Sequence, residues 1–453
     1  MSSKSHEMDL CSGSLWKKIF VYSVPLMFTN ILQVLFNMSD VAVVGKFAGP
    51  IALGAVGSTS ILVTLFTGIL LGLASGVNAL TALHIGSKDD EGVKRTVHTA
   101  VIICLAGGIL ITVFGILFSH NILALMNTKD ELIDGAVLYL RIYLLGMPAL
   151  GLYNFGNAVL SAAGDTKRPL YYLAFAGVVN VILNLFFVIV CHLGVAGVAL
   201  ASMISQFISA FLILRALLTG KEKYCLRLSE IRFDKRKAAG ILKIGIPSAF
   251  QYSLFAFANL FVQSSVNSFD HVLVEGNSAA ANADPLVYDM MAAFYTACSS
   301  FIAQNFGARK KKRILQTYLI CLFYSFITSL VLGVGIYLAR YPFLYLFTSD
   351  KAVVEAGITR LSIMALSYSA SAFMDASIAA SRGLGKTAVP TFVVMGSCVF
   401  RIIWIYTIFA YFHTIQSLYI LYVFSWGITA IAENIYFFHV YRHTLTGKTE
   451  SHL

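Results

Sequence analysis

The sequence predicts an all-α integral membrane protein, with twelve transmembrane helices in two parallel-repeat six-helix bundles. Three observations carry that prediction. The 453 residues are 58% hydrophobic and only 12% charged, with a mean hydropathy of +0.78, where soluble domains carry about 25% charged residues. Apolar runs of about 20 residues, the length an α-helix needs to cross a hydrocarbon core, recur along the chain. The alternating segments of about ten residues that mark a β-barrel do not occur. Finally, the chain contains itself twice. Pro25 in SVPLMF is answered by Pro247 in GIPSAF and Gly54 by Gly276, both at an offset of 222, and Gly86 is answered by Gly307 at 221. The run GDTKRP at 164–169 is answered by GKTAVP at 385–390, again at 221.

The expected spans follow in order. The first, 17–43, carries Pro25 and closes on Asn37-Met38-Ser39-Asp40. Polar residues precede its long apolar run, so it reads as a retained span and not a cleaved signal peptide. The second, 51–80, places Gly68, Gly72 and Gly76 on one helical face, a pattern for close helix packing. The third and fourth, 96–119 and 132–158, flank a short polar loop. The fifth, 168–190, follows the GDTKRP loop and holds Asn180 and Asn184, which at i, i+4 share a face. The sixth, 194–218, is rich in small residues and contains Ser202. A hydrophilic stretch at 219–239 then joins the halves, read as a linker with the capacity to lie on a membrane surface as a short amphipathic helix. The second half repeats the plan with 240–268, 275–303, 314–338, 353–380, 387–411 and 416–440. Six spans separate equivalent points, so both halves have the same orientation. The expected domains are a lobe at 1–218, the linker at 219–239 and a lobe at 240–453.

The net charge of +11 reports topology. With both termini and every second loop on one side, that side holds 25 basic residues and the other holds four. The positive-inside rule then puts both termini in the cytoplasm, and no nucleic-acid partner is expected. Seven scattered cysteines without a CxxC exclude a disulfide framework or zinc site. RGLGKT at 382–387 approaches a phosphate-binding loop, but Ala380 stands where the first glycine belongs and a membrane span follows. The required strand–loop–helix context is therefore missing. No nucleophile–base or metal-ligand spacing is present, so neither an enzyme nor a cofactor is expected.

A charge inside a bilayer is costly, so ionisable residues within spans are functional candidates. The acids that fall there are Asp40, Asp284, Asp289, Asp375 and Glu433. Asp40 is the leading candidate, because no basic residue lies nearer in sequence than Lys46. A carboxyl in apolar surroundings takes up a proton more readily than one in water, and its oxygens can equally ligate a hard cation. Asp289, with Pro285 one turn earlier, is expected to line a cavity and attract cationic cargo. By the repeat offset Asn154 corresponds to Asp375, Asn180 to Arg401 and Asp40 to Val262. The second half thus carries an acid and a base where the first has two asparagines. Asp375 and Arg401 are expected to form an intramembrane ion pair, with a cation or substrate site at Asp375 as the alternative. Arg141, Arg360 and Glu433 receive no role from the sequence.

Several motifs resemble those of the multidrug and toxin extrusion (MATE) transporters. They are Pro25 with Asp40-Val-Ala-Val-Val-Gly45, the run AGDTKRP at 163–169, Asn180-Val-Ile-Leu-Asn184, GVAGVALASMISQ at 194–206, QNFGAR at 304–309 and RGLGKT at 382–387. Their order and spacing cover nearly the whole chain, from Val24 to about Ala430. The resemblance implies two six-helix bundles around a V-shaped central cavity, alternating access, and export of organic compounds driven by H⁺ or Na⁺. It further implies a coupling site formed by Asp40 and Asn180 with the positions of Asn184 and Ser202, where relatives carry an aspartate and a threonine. Asn154 is taken with this group. Replacement of the second acid by Asn184 halves the anionic attraction for a metal cation and favours H⁺. The expected protein is a monomeric plasma-membrane exporter of amphipathic, cationic organic compounds in contact with membrane lipids. A flippase for lipid-linked cargo, from the related superfamily, is the alternative. The segment Gly86–Arg95 approaches the loop signature of another twelve-span transporter fold, but Glu91 replaces a basic residue there.

Overall fold

The computed structural model describes residues 8–444; Lys4 and Lys448, counted with the cytoplasmic basic residues, lie outside the described residues. Sixteen α-helices follow one another among the described residues. The first half comprises α1 (Leu15–Val43), α2 (Pro50–Ser87), α3 (Asp90–Leu125), α4 (Asp130–Leu144), α5 (Met147–Ala162), α6 (Lys167–Leu185) and α7 (Gly194–Thr219). The second comprises α8 (Lys235–Val266), α9 (His271–Ala281), α10 (Ala283–Gly307), α11 (Lys311–Leu338) and α12 (Arg340–Tyr345). It continues with α13 (Lys351–Gly383), α14 (Ala388–Trp404), α15 (Ala410–Phe412) and α16 (Ile415–Thr444). Among the described residues, eleven helical segments have the length and hydropathy to cross a membrane, and the pair α4–α5, taken as one span, supplies the twelfth. The pair is bent by 45°, where the sequence predicts one straight span. Pro148 explains the break: it opens α5, and a proline has no backbone N–H to continue a preceding helix.

Several helices also extend beyond their apolar runs into polar sequence. Asp89 shows how: it caps α3 by accepting from Gly92 N at 2.9 Å, satisfying one of the donors every helix start leaves open. Asp270 and Asp350 do the same for α9 and α13.

The repeated GDTKRP and GKTAVP loops have a backbone explanation. Gly164 and Gly385 adopt φ of 90° and 72°, a region that favours glycine. Asp165 then accepts from the backbone N–H groups of Lys167 and Arg168, both at 3.1 Å, opening α6.

Contacts divide the chain into two compact units. Unit 1 runs through Asp9 and then covers Phe28–Tyr252; unit 2 covers Leu10–Met27 and everything from Ser253 on. The division therefore falls inside α1 and α8, shortly after Pro25 and Pro247, and not at the expected linker. In unit 1 the leading half of α8 lies against the glycine face of α2. A β-carbon on Gly72 would meet Ala249 N at 2.3 Å, and one on Gly76 would meet Ile241 O at 2.3 Å. In unit 2 the leading half of α1 is held by Tyr22, whose hydroxyl donates to Ser300 Oγ at 3.0 Å. Asn305 Nδ2 donates to Leu10 O at 3.2 Å.

The stretch 219–239 is docked on unit 1. Tyr224, Cys225 and Leu226 are buried in the core formed by α2, α3, α5 and α7. Arg168, paired with Asp165, donates to the Tyr224 hydroxyl at 3.2 Å. His98 Nε2 accepts from Arg227 N at 3.0 Å, and Lys94 pairs with Glu230 at 2.7 Å. Asp234 caps α8, and the N–H groups of Lys237 and Arg236 hold its carboxyl below the usual carboxylate range. The loops at 88–95, 164–168 and 219–239 thus meet at one end of unit 1. Between the end of α7 and the start of α8 the one helical element is a short 3₁₀ turn, Leu228–Glu230, and 235–239 already belong to α8.

The α2–α8 contact is testable. Gly72→Ala forces a methyl into the α8 backbone, an overpacking worth about 1–3 kcal/mol, and is expected to lower the Tm of the purified protein. Gly57→Ala, on the same helix with nothing within 4 Å, is the control that leaves Tm unchanged.

Candidate functional site

In unit 1, Asp40 lies in the last turn of α1, Asn180 and Asn184 near the end of α6, and Ser202 in the third turn of α7. All four are buried, Asn184 completely and Asp40 with 8% of its surface exposed. Asp40 Oδ1 accepts a hydrogen bond from Asn184 Nδ2, and Oδ2 accepts one from Ser202 Oγ at 2.8 Å. Asn184 Nδ2 also reaches Asn180 Oδ1 at 3.2 Å, while Asn180 Nδ2 donates to Ser202 Oγ at 3.4 Å. Four of the five residues grouped from the sequence therefore form one closed hydrogen-bonded group around a single carboxyl. No basic side chain of the described residues pairs with it.

Two local features bring these elements together. Gly177, one turn before Asn180, accommodates Phe36 of α1, whose ring occupies the space a β-carbon would need, at 1.8 Å. That close approach carries the end of α1 onto α6. Then α1 and α6 each loosen into a π segment, Val44–Ala48 and Phe186–Val190, just beyond Asp40 and Asn184. Single π turns within helices are frequent at functional sites.

Asn154 does not join the group. It is buried on α5 with an amide nitrogen that has no hydrogen-bond partner. Asn184 Oδ1 is likewise sealed and unpartnered.

In unit 2 the expected ion pair between Asp375 and Arg401 does not form. Asp375 Oδ1 accepts from the Tyr288 hydroxyl at 3.4 Å, and Oδ2 is sealed without a partner. Arg401 reaches elsewhere: Nε donates to Ser425 Oγ at 2.8 Å and Nη1 to Asn259 Oδ1 at 3.2 Å. Asp375 is turned toward α10, and the guanidinium lies between α8 and α16. Asp289 is partly exposed on α10, and Glu433 is fully buried on α16 with neither carboxyl oxygen hydrogen-bonded.

The intramembrane ion pair that does form joins Arg360 to Asp284, which sequence reasoning left without a partner. Arg360 Nη2 meets Asp284 Oδ2 at 2.5 Å and Nη1 donates to Asn277 Oδ1 at 2.6 Å. The Tyr368 hydroxyl also donates to Asp284. Arg141 Nε donates to Ser119 Oγ at 3.0 Å. The available signal was two opposite charges in neighbouring spans. The repeat could not reveal it, since Asp284 and Arg360 align with Leu62 and Tyr139 in the first half.

A duplicated bundle of membrane helices that buries an unneutralised carboxyl defines a polytopic membrane transporter. The MatE family profile matches the chain twice, at residues 25–186 and 247–407, so the offsets of its starts and ends reproduce the internal repeat. The chain is similar to the probable multidrug resistance protein YpnP of Bacillus subtilis, with 31% identity over 307 residues, 68% of each chain. It is 20% identical over 399 residues to the multidrug export protein MepA of Staphylococcus aureus, 86% of this chain and 87% of the other. Its fold matches a MOP superfamily transporter from Pyrococcus furiosus with a TM-score of 0.91 and 22% identity, over 99% of this chain and 100% of that one. The chain belongs to the MatE family of multidrug efflux transporters and is a multi-pass membrane protein.

The Gly177–Phe36 contact gives a prediction. Gly177→Ala displaces the Phe36 ring and is expected to lower stability by about 1–3 kcal/mol, measured as a fall in Tm. Adding Phe36→Ala removes the clash, so the double variant should lose less than the sum of the two single changes.

Proposed function

We propose that this chain is an H⁺-coupled exporter of amphipathic organic compounds in which Asp40 carries the exchanged proton. The supporting observation is the closed group of Asp40, Asn184, Ser202 and Asn180. In the ionised state the carboxylate is satisfied by one amide and one hydroxyl donor, and a buried charge with such donors is tolerable where a bare one is not. On protonation, Oδ2–H donates to Ser202 Oγ, whose own hydrogen rotates away. Both states are accommodated without a counter-cation.

The same geometry favours H⁺ over Na⁺. A monovalent metal site needs several oxygens converging on one point. Here Asn184 presents Nδ2 to the carboxylate, Ser202 donates to it, and Asn180 Oδ1 is taken by Asn184. Replacement of a second acid by Asn184 leaves one negative charge.

The cargo side of the reading rests on family membership and on acids in unit 2. Asp289 is partly exposed on α10, and a carboxylate there attracts organic cations. The distribution of basic residues puts both termini in the cytoplasm, so export runs away from the 219–239 side.

Asp40→Asn keeps the shape of the group and removes the titratable oxygen. It is expected to abolish efflux of a fluorescent organic cation from vesicles under an imposed pH gradient, with insertion and size-exclusion profile unchanged. Wild-type rates of proton-driven efflux in this variant would refute the role of Asp40. A second measurement imposes a Na⁺ gradient at constant pH, and the wild-type protein is expected to show no stimulation. Transport of lipid-linked cargo with no response to either gradient would favour the flippase reading instead.

A further inference from the structure

Unit 2 contains a buried cation with no anion beside it. Arg401, on α14, is 2% exposed and is the largest fully enclosed side chain of the described residues. A guanidinium offers five N–H donors, of which Nε goes to Ser425 and one on Nη1 to Asn259. Nη2 has no hydrogen-bond partner among the described residues and is not among the fully sealed polar atoms, so a small part of its surface stays accessible. The rest of its surroundings is aromatic: the guanidinium carbon lies 4.9 Å from the Tyr422 ring centre and 5.9 Å from that of Phe255. Among the described residues, no carboxylate forms an ion pair with it.

The contrast with Arg360 shows what is missing. Arg360 is equally enclosed in the same unit and also stacks on a tyrosine, Tyr419, at 5.6 Å. It nevertheless has a carboxylate, Asp284, at 2.5 Å. Ring faces and neutral oxygens attract a guanidinium, but removal from water is offset mainly by a hydrogen-bonded anion. The repeat identifies where that anion would stand. Arg401 takes the place of Asn180 in the first half, and Val262 takes the place of Asp40. Unit 1 therefore buries an anion among neutral donors, and unit 2 buries a cation among neutral acceptors with the anion position left apolar. Asn259, one turn before Val262 on α8, is exposed and is shared by Arg401 and the Tyr422 hydroxyl, which donates to it at 3.3 Å. Asn259 thus links the enclosed guanidinium to the surface of unit 2.

We infer that Arg401, with Asn259 and Tyr422, forms an oxyanion-binding site in unit 2 that takes the carboxylate or phosphate of an amphipathic organic ligand. Planar guanidinium N–H pairs match the oxygens of either group. The inference deepens the exporter reading by extending its cargo from organic cations to zwitterions and anions, and to that extent rests on it. The oxyanion has two sources, a soluble acid or a lipid headgroup.

The test uses the purified full-length protein in phosphatidylcholine nanodiscs. The probes are 2-naphthoate and 2-naphthyl phosphate, with 2-naphthylmethylammonium as the cation of the same ring system. Binding is read by equilibrium dialysis and by quenching of Trp404 and Trp426, which neighbour Arg401 and Tyr422 in sequence. Both anions are expected to bind saturably and to compete with each other. Affinity should fall about tenfold or more in Arg401→Gln, the loss of a charged hydrogen-bonding partner. It should fall comparably in Val262→Asp, where the chain supplies the anion itself. The ammonium probe should be unaffected by either change. Asn259→Ala, at an exposed position, should weaken both anions and decides the matter if Arg401→Gln fails to fold. Adding phosphatidylglycerol separates the sources: suppression of naphthoate binding in the wild type assigns the site to a lipid headgroup, and unchanged binding assigns it to a soluble acid. Equal anion binding in wild type, Val262→Asp and Asn259→Ala would overturn the proposal, as would no anion binding in either lipid. Binding at equilibrium needs no transport, so a protein that binds the anion but exports nothing sinks the exporter reading alone.

Discussion

The constraint on which this molecule depends is the absence of water from the hydrocarbon core. A polar group placed there must find its partner within the protein, or it costs several kcal/mol. Some of the buried polar side chains obey through local bonds to the preceding helical turn, as Thr59 does to Val56 O at 2.8 Å and Ser248 to Ile244 O at 2.9 Å. Others obey across helices, as Arg360 does with Asp284 and Asn277. Against that background the exceptions stand out. Asp40 has donors but no counter-charge, Asp375 is half satisfied, Glu433 is unsatisfied, and Arg401 has acceptors but no anion. They divide between the two units, and the proposed roles of Asp40 and Arg401 rest on them.

The duplication has diverged at the sites while holding at the loops. Gly164 and Gly385 keep the same left-handed turn, and Lys88 and Arg309 occupy equivalent positive-φ positions at helix ends. Backbone geometry of this kind tolerates few residues, so it survives in both copies. The side chains at 40/262, 154/375 and 180/401 are under no such limit, and every pair differs in charge or polarity. Each unit has kept the helical frame and taken a different electrostatic role.

The legible part of the fold was the part set by length and periodicity. Hydropathy located the twelve spans, and the 222-residue offset located their pairing into halves. The hydrogen-bonded group around Asp40 was legible too: Asp40 by its isolation in sequence, and Asn180, Asn184 and Ser202 through the resemblance to MATE transporters. Three features escaped. The bend of the fourth span follows from Pro148, but hydropathy averages over it. The Arg360–Asp284 pair depends on which faces of α10 and α13 meet, and no periodicity within either helix fixes that. Arg401 was paired with Asp375 from repeat position and charge, while its reach toward α8 and α16 is decided by the rotation of α14. In each case the missing information was helix rotation or packing, which a one-dimensional pattern does not hold.

The exchange of half-helices between the units has a consequence for synthesis. The opening turns of α1 and the residues just before them are made long before their partners, since Tyr22 bonds to Ser300 and Leu10 to Asn305, separated by 278 and 295 residues. Those turns must therefore wait in the membrane while seven further spans are made. Likewise, unit 1 cannot close over the glycines of α2 until the leading half of α8, a segment encoded beyond the linker, has been inserted. Neither half of the gene specifies a finished folding unit, so fission at the linker would yield two fragments that each display an unfilled groove and require the other to complete it.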